Sequence, residues 1–188
     1  MANMASVAYA IEGSKKSLEE IFEVILNAVN TKDNRYEEYI AAESLKLPIK
    51  EDTRLGGEIE ADPTLENGVL RFYAEERWGL QDFAELLEKK FPDIKIYWVV
   101  EESGCEVYCT NDKEGKYFPE RYYVDTAQDD IYQSEYFNTE EEVYEWLSKI
   151  TNGRVKCKED VDKFNSDYED SGTEDENFIY IHEFKVEN

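Results

Sequence analysis

The chain has 188 residues, of which 45 are acidic and 21 basic, so its formal net charge is −24. This charge disfavours direct binding to nucleic-acid phosphates, which requires lysine and arginine, and it disfavours anionic membrane surfaces for the same reason. A length of 188 residues fits one domain, or one domain with a large appendage, and 41% hydrophobic residues argue against wholesale disorder. A positively charged protein surface is the natural complement of such a chain, although the acidity could also serve only solubility.

The first part of the chain predicts a strand, a helix and an insertion. A short strand at residues 7–11 ends before Gly13. Ser17 and Glu20 have the spacing of a capping box that begins a helix. Apolar residues follow at helical spacing: Leu18, Ile21, Phe22, Ile25, Leu26 and Val29. Residues 31–54 then form an insertion, with at most two helical turns before Pro48.

Residues 70–112 hold the densest run of apolar residues and predict the centre of the fold. A strand that begins at Val69 is predicted to pair in a hairpin with a strand within residues 54–60. A helix over residues 80–87 follows and ends before Pro92. A strand over residues 94–100 then turns back at Ser103-Gly104. The order β-α-β-β-α-β is the ferredoxin-like pattern, with two helices on one face of an antiparallel sheet. The return strand is extra, and we expect the meander to continue over residues 116–124.

The remainder of the chain predicts an acidic extension. Lysine and arginine are absent from Tyr122 to Ser148. Thr139 and Glu142 form a second capping box, which begins a helix that extends to Ile150, and the residues before this helix are predicted to form a loop. We expect a short helix within 154–166, a solvated loop over 167–176 and a final strand over 178–186. The predicted class is α+β, with a core of residues 1–124 and an extension of residues 125–188 packed on it in one globular unit.

Part of the chain resembles the YubB-like ferredoxin-fold family of plasmid and phage proteins. The resemblance covers about residues 1–112 and is carried by the start Met1-Ala2-Asn3, Gly13 after the first strand, Trp78 before a helix, Phe91-Pro92 after it, and the turn Glu101-Glu102-Ser103-Gly104. It implies a ferredoxin-like fold and a mobile-element setting, in which small acidic proteins that disarm host defences are known. The family has no established catalytic residue set, so the resemblance transfers no active site.

Catalytic and metal-binding signals are absent from the sequence. His182 is the single histidine and lies among strand residues, so we expect a structural or surface role. Cys105 and Cys109 on one strand do not have zinc spacing, and the acidic run at 167–176 does not have the spacing of a calcium loop. We predict no catalytic residues, no metal site and no cofactor. The N-terminus lacks a basic segment ahead of an apolar run, so we expect a cytoplasmic protein.

The acidic tract carries the functional hypothesis. Carboxylates spread over a folded helix and the loop before it could imitate phosphates and bind the basic surface of a nucleic-acid-binding protein. The protein would then be a non-catalytic nucleic-acid mimic or an inhibitor of a host defence protein, of the anti-CRISPR or anti-restriction type. Two alternatives stay open: a hydrolase or nuclease that uses a carboxylate-held metal, and an accessory subunit whose edge strand pairs with another chain. The predicted partner-binding residues are Asp125, Asp129, Asp130, Glu135, Glu140, Glu141, Glu142 and Glu145.

Overall fold

The computed structural model describes residues 3–60, 63–77, 79–80, 82–171 and 176–187. These residues form an α+β fold in two compact units, Met1–Phe118 with Val186–Asn188 and Pro119–Lys185. None of the described helices is long and apolar enough to span a bilayer. Trp78 and residues 172–175 of the predicted acidic loop lie outside the described residues.

The first unit is built on an antiparallel sheet. Its elements are β1 (Met4–Glu12), α1 (Lys15–Val29), α2 (Glu37–Ser44), β2 (Gly57–Ile59), β3 (Thr64–Glu66), β4 (Val69–Arg77), α3 (Phe83–Lys90), β5 (Lys95–Glu102) and β6 (Val107–Thr110). The strand order is β6-β5-β1-β4-β2, with β3 also beside β4 and with a short final strand, β10 (Lys185–Val186), beside β6. Strand β1 is therefore central, and it pairs antiparallel with β4 and with β5.

The core of the first unit lies between one face of this sheet and its helices. Alternate residues of β1 and β4 point to that face, where the ring of Tyr9 stacks on Phe72 with 4.6 Å between ring centroids. Helix α1 contributes Leu18, Ile21 and Ile25, each at most 1% exposed, as their helical spacing predicted. Three helices contribute buried residues to this core, where two were predicted, because α2 in the insertion also buries Ala41 and Ala42.

The start of α1 differs from the prediction. Ser14 is the N-cap residue, and its hydroxyl accepts a hydrogen bond from the Ser17 backbone N at 3.2 Å. Ser17 lies inside the helix, where its own hydroxyl donates to the Asp93 carboxylate at 2.9 Å. Asp93 also accepts from the Ser14 backbone N at 3.2 Å, and hydrogen bonding by the side chains of Ser14 and Ser17 lowers the pKa of Asp93. The predicted Ser17 capping box was wrong because Ser14 already satisfies the first turn.

The strand predicted over residues 116–124 is present only from Tyr122 and does not extend the first sheet. After β6, the Asp112 carboxylate accepts hydrogen bonds from the backbone N atoms of Lys116, Tyr117 and Phe118 at 3.0, 2.6 and 2.9 Å. These bonds hold a turn at the end of the first unit, so the meander does not continue. The next strand begins at Tyr122 and belongs to a second sheet.

The second unit is a three-stranded sheet with two helices. Its elements are β7 (Tyr122–Gln128), β8 (Ile131–Phe137), α4 (Glu140–Ile150), α5 (Lys158–Ser171) and β9 (Phe178–Glu183). The sheet order is β8-β7-β9, and both pairings are antiparallel. One face of the sheet packs on α4 and α5 through a small core: Val124, Val143, Leu147, Val155, Val161 and Ile179.

Three sequence predictions are corrected in the second unit. The segment before α4 is the hairpin β7–β8 and not a loop. Its many polar and acidic residues made the period-2 pattern weak. Helix α5 is 14 residues long and enters the predicted loop, because the Asn165 side chain bonds both the backbone N and O of Ile179 at 2.9 Å and anchors it to β9. The predicted final strand divides at Phe184, which is 3% exposed, into β9 and β10.

Candidate functional site

The eight predicted partner-binding residues all lie in the second unit, but they do not form one line. Asp129 and Asp130 lie at the β7–β8 turn, and Glu140 and Glu141 lie in the first turn of α4 at the opposite end of the hairpin. Seven residues of β7 separate these ends, a distance of about 20 Å at the usual strand rise. Glu135, Glu142 and Glu145 border a hollow beside α4, and Asp125 lies alone on the opposite sheet face.

At the start of α4, carboxylates gather around the phenol of Tyr122. Burial raises the pKa of Tyr122, and the negative charges of Glu183, Glu140 and Glu141 raise it further. Glu183 ends β9 directly opposite Tyr122 in the antiparallel pair. A strand end that the sequence did not connect to α4 therefore adds a third carboxylate to this cluster.

At the β7–β8 turn, two aspartates adopt left-handed backbone angles. Asp129 and Asp130 have φ values of 50° and 62°, which suit a tight hairpin turn and which aspartate tolerates better than most residues. The Asp130 carboxylate accepts from the Glu176 backbone N at 2.8 Å, so it is partly used in holding the chain before β9. Glu176 accepts from the Tyr132 hydroxyl at 2.6 Å, which raises the pKa of Tyr132 to about 12.

The hollow beside α4 brings three of the predicted residues together. It has a volume of about 460 Å³ and is lined by Glu135, Glu142, Glu145, Trp146 and Lys149, among others. Glu142 is committed to the capping box, because its carboxylate accepts from the backbone N atoms of Asn138 and Thr139 at 2.9 and 3.2 Å. Glu135 and Glu145 also expose their carboxylates, and one Glu135 oxygen accepts from the Tyr136 backbone N at 3.2 Å.

The acidic tract is not neutralised from within the described part of the chain. None of the ion pairs found there involves any of the eight carboxylates. Seven of the eight residues are exposed, and Asp125 is partly buried. This surface therefore presents a strong negative field to solvent.

The sheet face opposite α4 and α5 carries aromatic residues that the sequence analysis did not combine. Alternate residues of each strand point to this face, and the strand registers align them in three cross-strand rows. The rows are Tyr136–Tyr123–His182, Ser134–Asp125–Tyr180 and Tyr132–Ala127–Phe178. Three of the tyrosines are well exposed, Tyr132 at 59%, Tyr180 at 53% and Tyr136 at 44%.

The six rings of this face form an unbroken border. Neighbouring ring centroids lie 4.9 Å apart for Tyr136–Tyr123, 5.9 Å for Tyr123–His182, 6.4 Å for His182–Tyr180, 4.9 Å for Tyr180–Phe178 and 6.3 Å for Phe178–Tyr132. The border runs along two outer rows and down β9, so it surrounds the position of Asp125 on three sides. We call this feature the aromatic border; it opens toward the edge strand β8 at Ser134.

The first unit contains a second group of ionisable residues, which is buried. Glu38 and Glu76 are both 0% exposed, and the Tyr9 hydroxyl donates to the Glu76 carboxylate. Glu38 accepts from the Gly57 backbone N at 3.0 Å, and its second oxygen is buried without a hydrogen-bond donor. Burial and the negative charge of Glu76 raise the pKa of Glu38 well above its ordinary value. A proton on Glu38 would turn its unpaired oxygen into a donor.

The described residues contain no group of three or more His, Cys, Asp or Glu side chains arranged to hold a metal ion. Glu38 and Glu76 have the chemistry of an acid–base pair, but in this conformation their complete burial keeps any substrate away.

Comparisons with protein-family models, with curated proteins and with solved structures gave no match for this chain.

The sequence indicated some of these features and missed others. The Thr139–Glu142 capping box is present, and its prediction is confirmed. His182 was expected to be structural or on the surface, and its ring stacks within the aromatic border. The period-2 spacing of Tyr132, Ser134 and Tyr136 was a usable signal for β8. No local pattern pairs Glu38 with Glu76.

Proposed function

We propose that the protein is a non-catalytic acidic binding protein that docks on the basic surface of a nucleic-acid-binding protein and occupies the place of nucleic acid. The observation that carries this proposal is the set of eight carboxylates of the second unit, which have no lysine or arginine partner in the described residues. The second unit has 19 acidic and 7 basic residues, a net charge of −12 in 67 residues. Such a field speeds association with a basic partner and selects against acidic ones.

The separation of the carboxylates supports a broad contact. Clusters at the two ends of β7 lie about 20 Å apart, which suits a partner surface that normally holds several successive phosphates of a nucleic acid. The mobile-element setting implied by the YubB-like resemblance makes a host defence protein the proposed target, of the CRISPR or restriction type. We also propose a ferredoxin-like core, supported by the antiparallel order β5-β1-β4-β2 of the first unit.

Neutralisation of four exposed carboxylates of the second unit tests the proposal. The variant replaces Glu135, Glu140, Glu141 and Glu145 by glutamine and leaves the Glu142 cap intact. The matched control makes the same change at exposed glutamates of the first unit: Glu20, Glu23, Glu58 and Glu66.

Binding of basic proteins captured from the host cell is measured with and without duplex DNA as competitor. The proposal predicts that the duplex displaces captured nucleic-acid-binding proteins, that the second-unit variant loses them, and that the control keeps them. Equal capture by both variants, or capture that excess duplex does not reduce, would contradict it.

A further inference from the structure

We propose that the aromatic border with Asp125 at its centre is a binding site for an arginine side chain of a basic protein partner. The inference deepens the proposed function, on which it rests, by naming the group that one part of the surface recognises. It depends on a different arrangement, since the other seven carboxylates lie at the ends and on the other side of the sheet, whereas Asp125 and the aromatic border lie on the open face of β7, β8 and β9.

The chemistry of the site matches a cation that is also flat. Aromatic rings attract a cation to their faces, and the central carboxylate of Asp125 supplies the opposite charge. Six rings around one carboxylate would be an unusual way to cover a sheet face that only needed solubility, because Tyr132, Tyr136 and Tyr180 are all large and well exposed. Charge complementarity therefore selects a cationic occupant.

The geometry favours guanidinium over ammonium. The three rows of the face lie about 7 Å apart along the strands, and the three strands lie about 5 Å apart, so the site is a shallow area of about 13 by 10 Å. A planar guanidinium can lie on such a surface, stack on a ring and donate two parallel hydrogen bonds to a carboxylate. An ammonium group is compact and strongly hydrated, and a flat surface surrounds it poorly.

The position of the site also fits an extended basic segment. The border opens at Ser134 on β8, an edge strand whose residues Ile131–Tyr136 are all exposed. A partner segment that approaches this edge can place one arginine over Asp125 while neighbouring cations meet the carboxylates at either end of the hairpin. The site holds one or two side chains, so it sets which cation is preferred, and the surrounding charge sets most of the affinity.

The test compares an oligoarginine peptide with an oligolysine peptide of equal length, with the intact protein and isothermal titration calorimetry at low salt. The unaltered protein binds oligoarginine more tightly. Asp125→Asn, which keeps the side-chain shape, and Tyr180→Thr, which keeps a strand-forming residue, each weaken oligoarginine binding by about threefold to tenfold and reduce the preference for arginine. Aromatic NMR resonances of the border shift with oligoarginine.

Matched controls are Asp162→Asn, an exposed aspartate of α5, and Tyr73→Thr, a tyrosine of β4 that is 62% exposed. Both controls retain the arginine preference, and circular dichroism establishes that each variant is folded. Equal binding of the two peptides, tighter binding of oligolysine, or an unchanged preference in Asp125→Asn overturns the arginine site. If both peptides bind equally and the variant with glutamine at positions 135, 140, 141 and 145 loses them, the proposed function stands without this site. If neither peptide binds the unaltered protein, both proposals fail.

Discussion

Replacement of Glu38 by glutamine should remove a pH dependence of stability that arises in the buried carboxyl pair. Glu38 has a folded pKa well above its ordinary value of 4.5, because it is buried beside Glu76. The folded protein therefore binds this proton more tightly than the unfolded chain does. The free energy of unfolding must then decrease as the pH rises from about 4.5 toward the folded pKa.

The magnitude follows from proton linkage. One proton held only in the folded state changes the free energy of unfolding by about 1.4 kcal/mol per pH unit, or about 2.7 kcal/mol over about two pH units. The glutamine side chain can keep both contacts, since its oxygen can accept from Gly57 N and its NH₂ group can donate toward Glu76. Glu38→Gln should thus be more stable than the unaltered protein near neutral pH, and its advantage should grow with pH.

Urea denaturation at a series of pH values measures this difference. Other groups titrate equally in both proteins, so the difference between the two pH profiles gives the contribution of Glu38 and Glu76 to the pH dependence of the free energy of unfolding. Glu58→Gln, an exposed carboxylate of β2, is the control and should leave the slope unchanged. Parallel profiles for Glu38→Gln and the unaltered protein would refute the reasoning, as would a loss of stability in Glu38→Gln that is the same at every pH.

Two further substitutions test close approaches and caps. Gly13→Ala should destabilise the first unit by about 1–3 kcal/mol in urea denaturation. An added Cβ would lie 2.8 Å from the Ile94 side chain and 3.2 Å from the Asp93 backbone oxygen. An unchanged unfolding midpoint would show that the neighbouring atoms move aside without cost. Thr139→Ala should cost the second unit about 1 kcal/mol by removing the hydroxyl that accepts from Glu142 N, whereas Thr139→Ser should retain most of it. Equal effects of alanine and serine would argue against the cap.

Local patterns predicted the elements that depend on local chemistry. The stripe from Leu18 to Val29 predicted α1, and the Thr139–Glu142 box predicted the start of α4, because helical spacing and caps involve residues within one or two turns. The boundary at Ser14 was missed although its cap is local, because Ser17 matches the same capping pattern and its hydroxyl instead donates to Asp93, which is distant in sequence.

The features that could bind or titrate depend on long-range contacts. Glu38 and Glu76 meet only after α2 packs on β2 and β2 pairs with β4, and nothing near either residue in the sequence marks it as buried. The aromatic border takes two rings from β8, one from β7 and three from β9. Its parts are visible as period-2 patterns, but the register that joins Tyr123 to Tyr136 and His182 is set by strand pairing.

The central claim is that the second unit binds a basic partner by charge, and the salt dependence of that binding tests it most directly. The affinity of a captured nucleic-acid-binding partner should be measured between about 50 and about 200 mM salt, for the protein and for its four-glutamine variant of the second unit. Affinity of the unaltered protein should fall steeply with salt, and the variant should bind weakly with a shallower slope. Affinity that is independent of salt, or an identical slope for the variant, would contradict it.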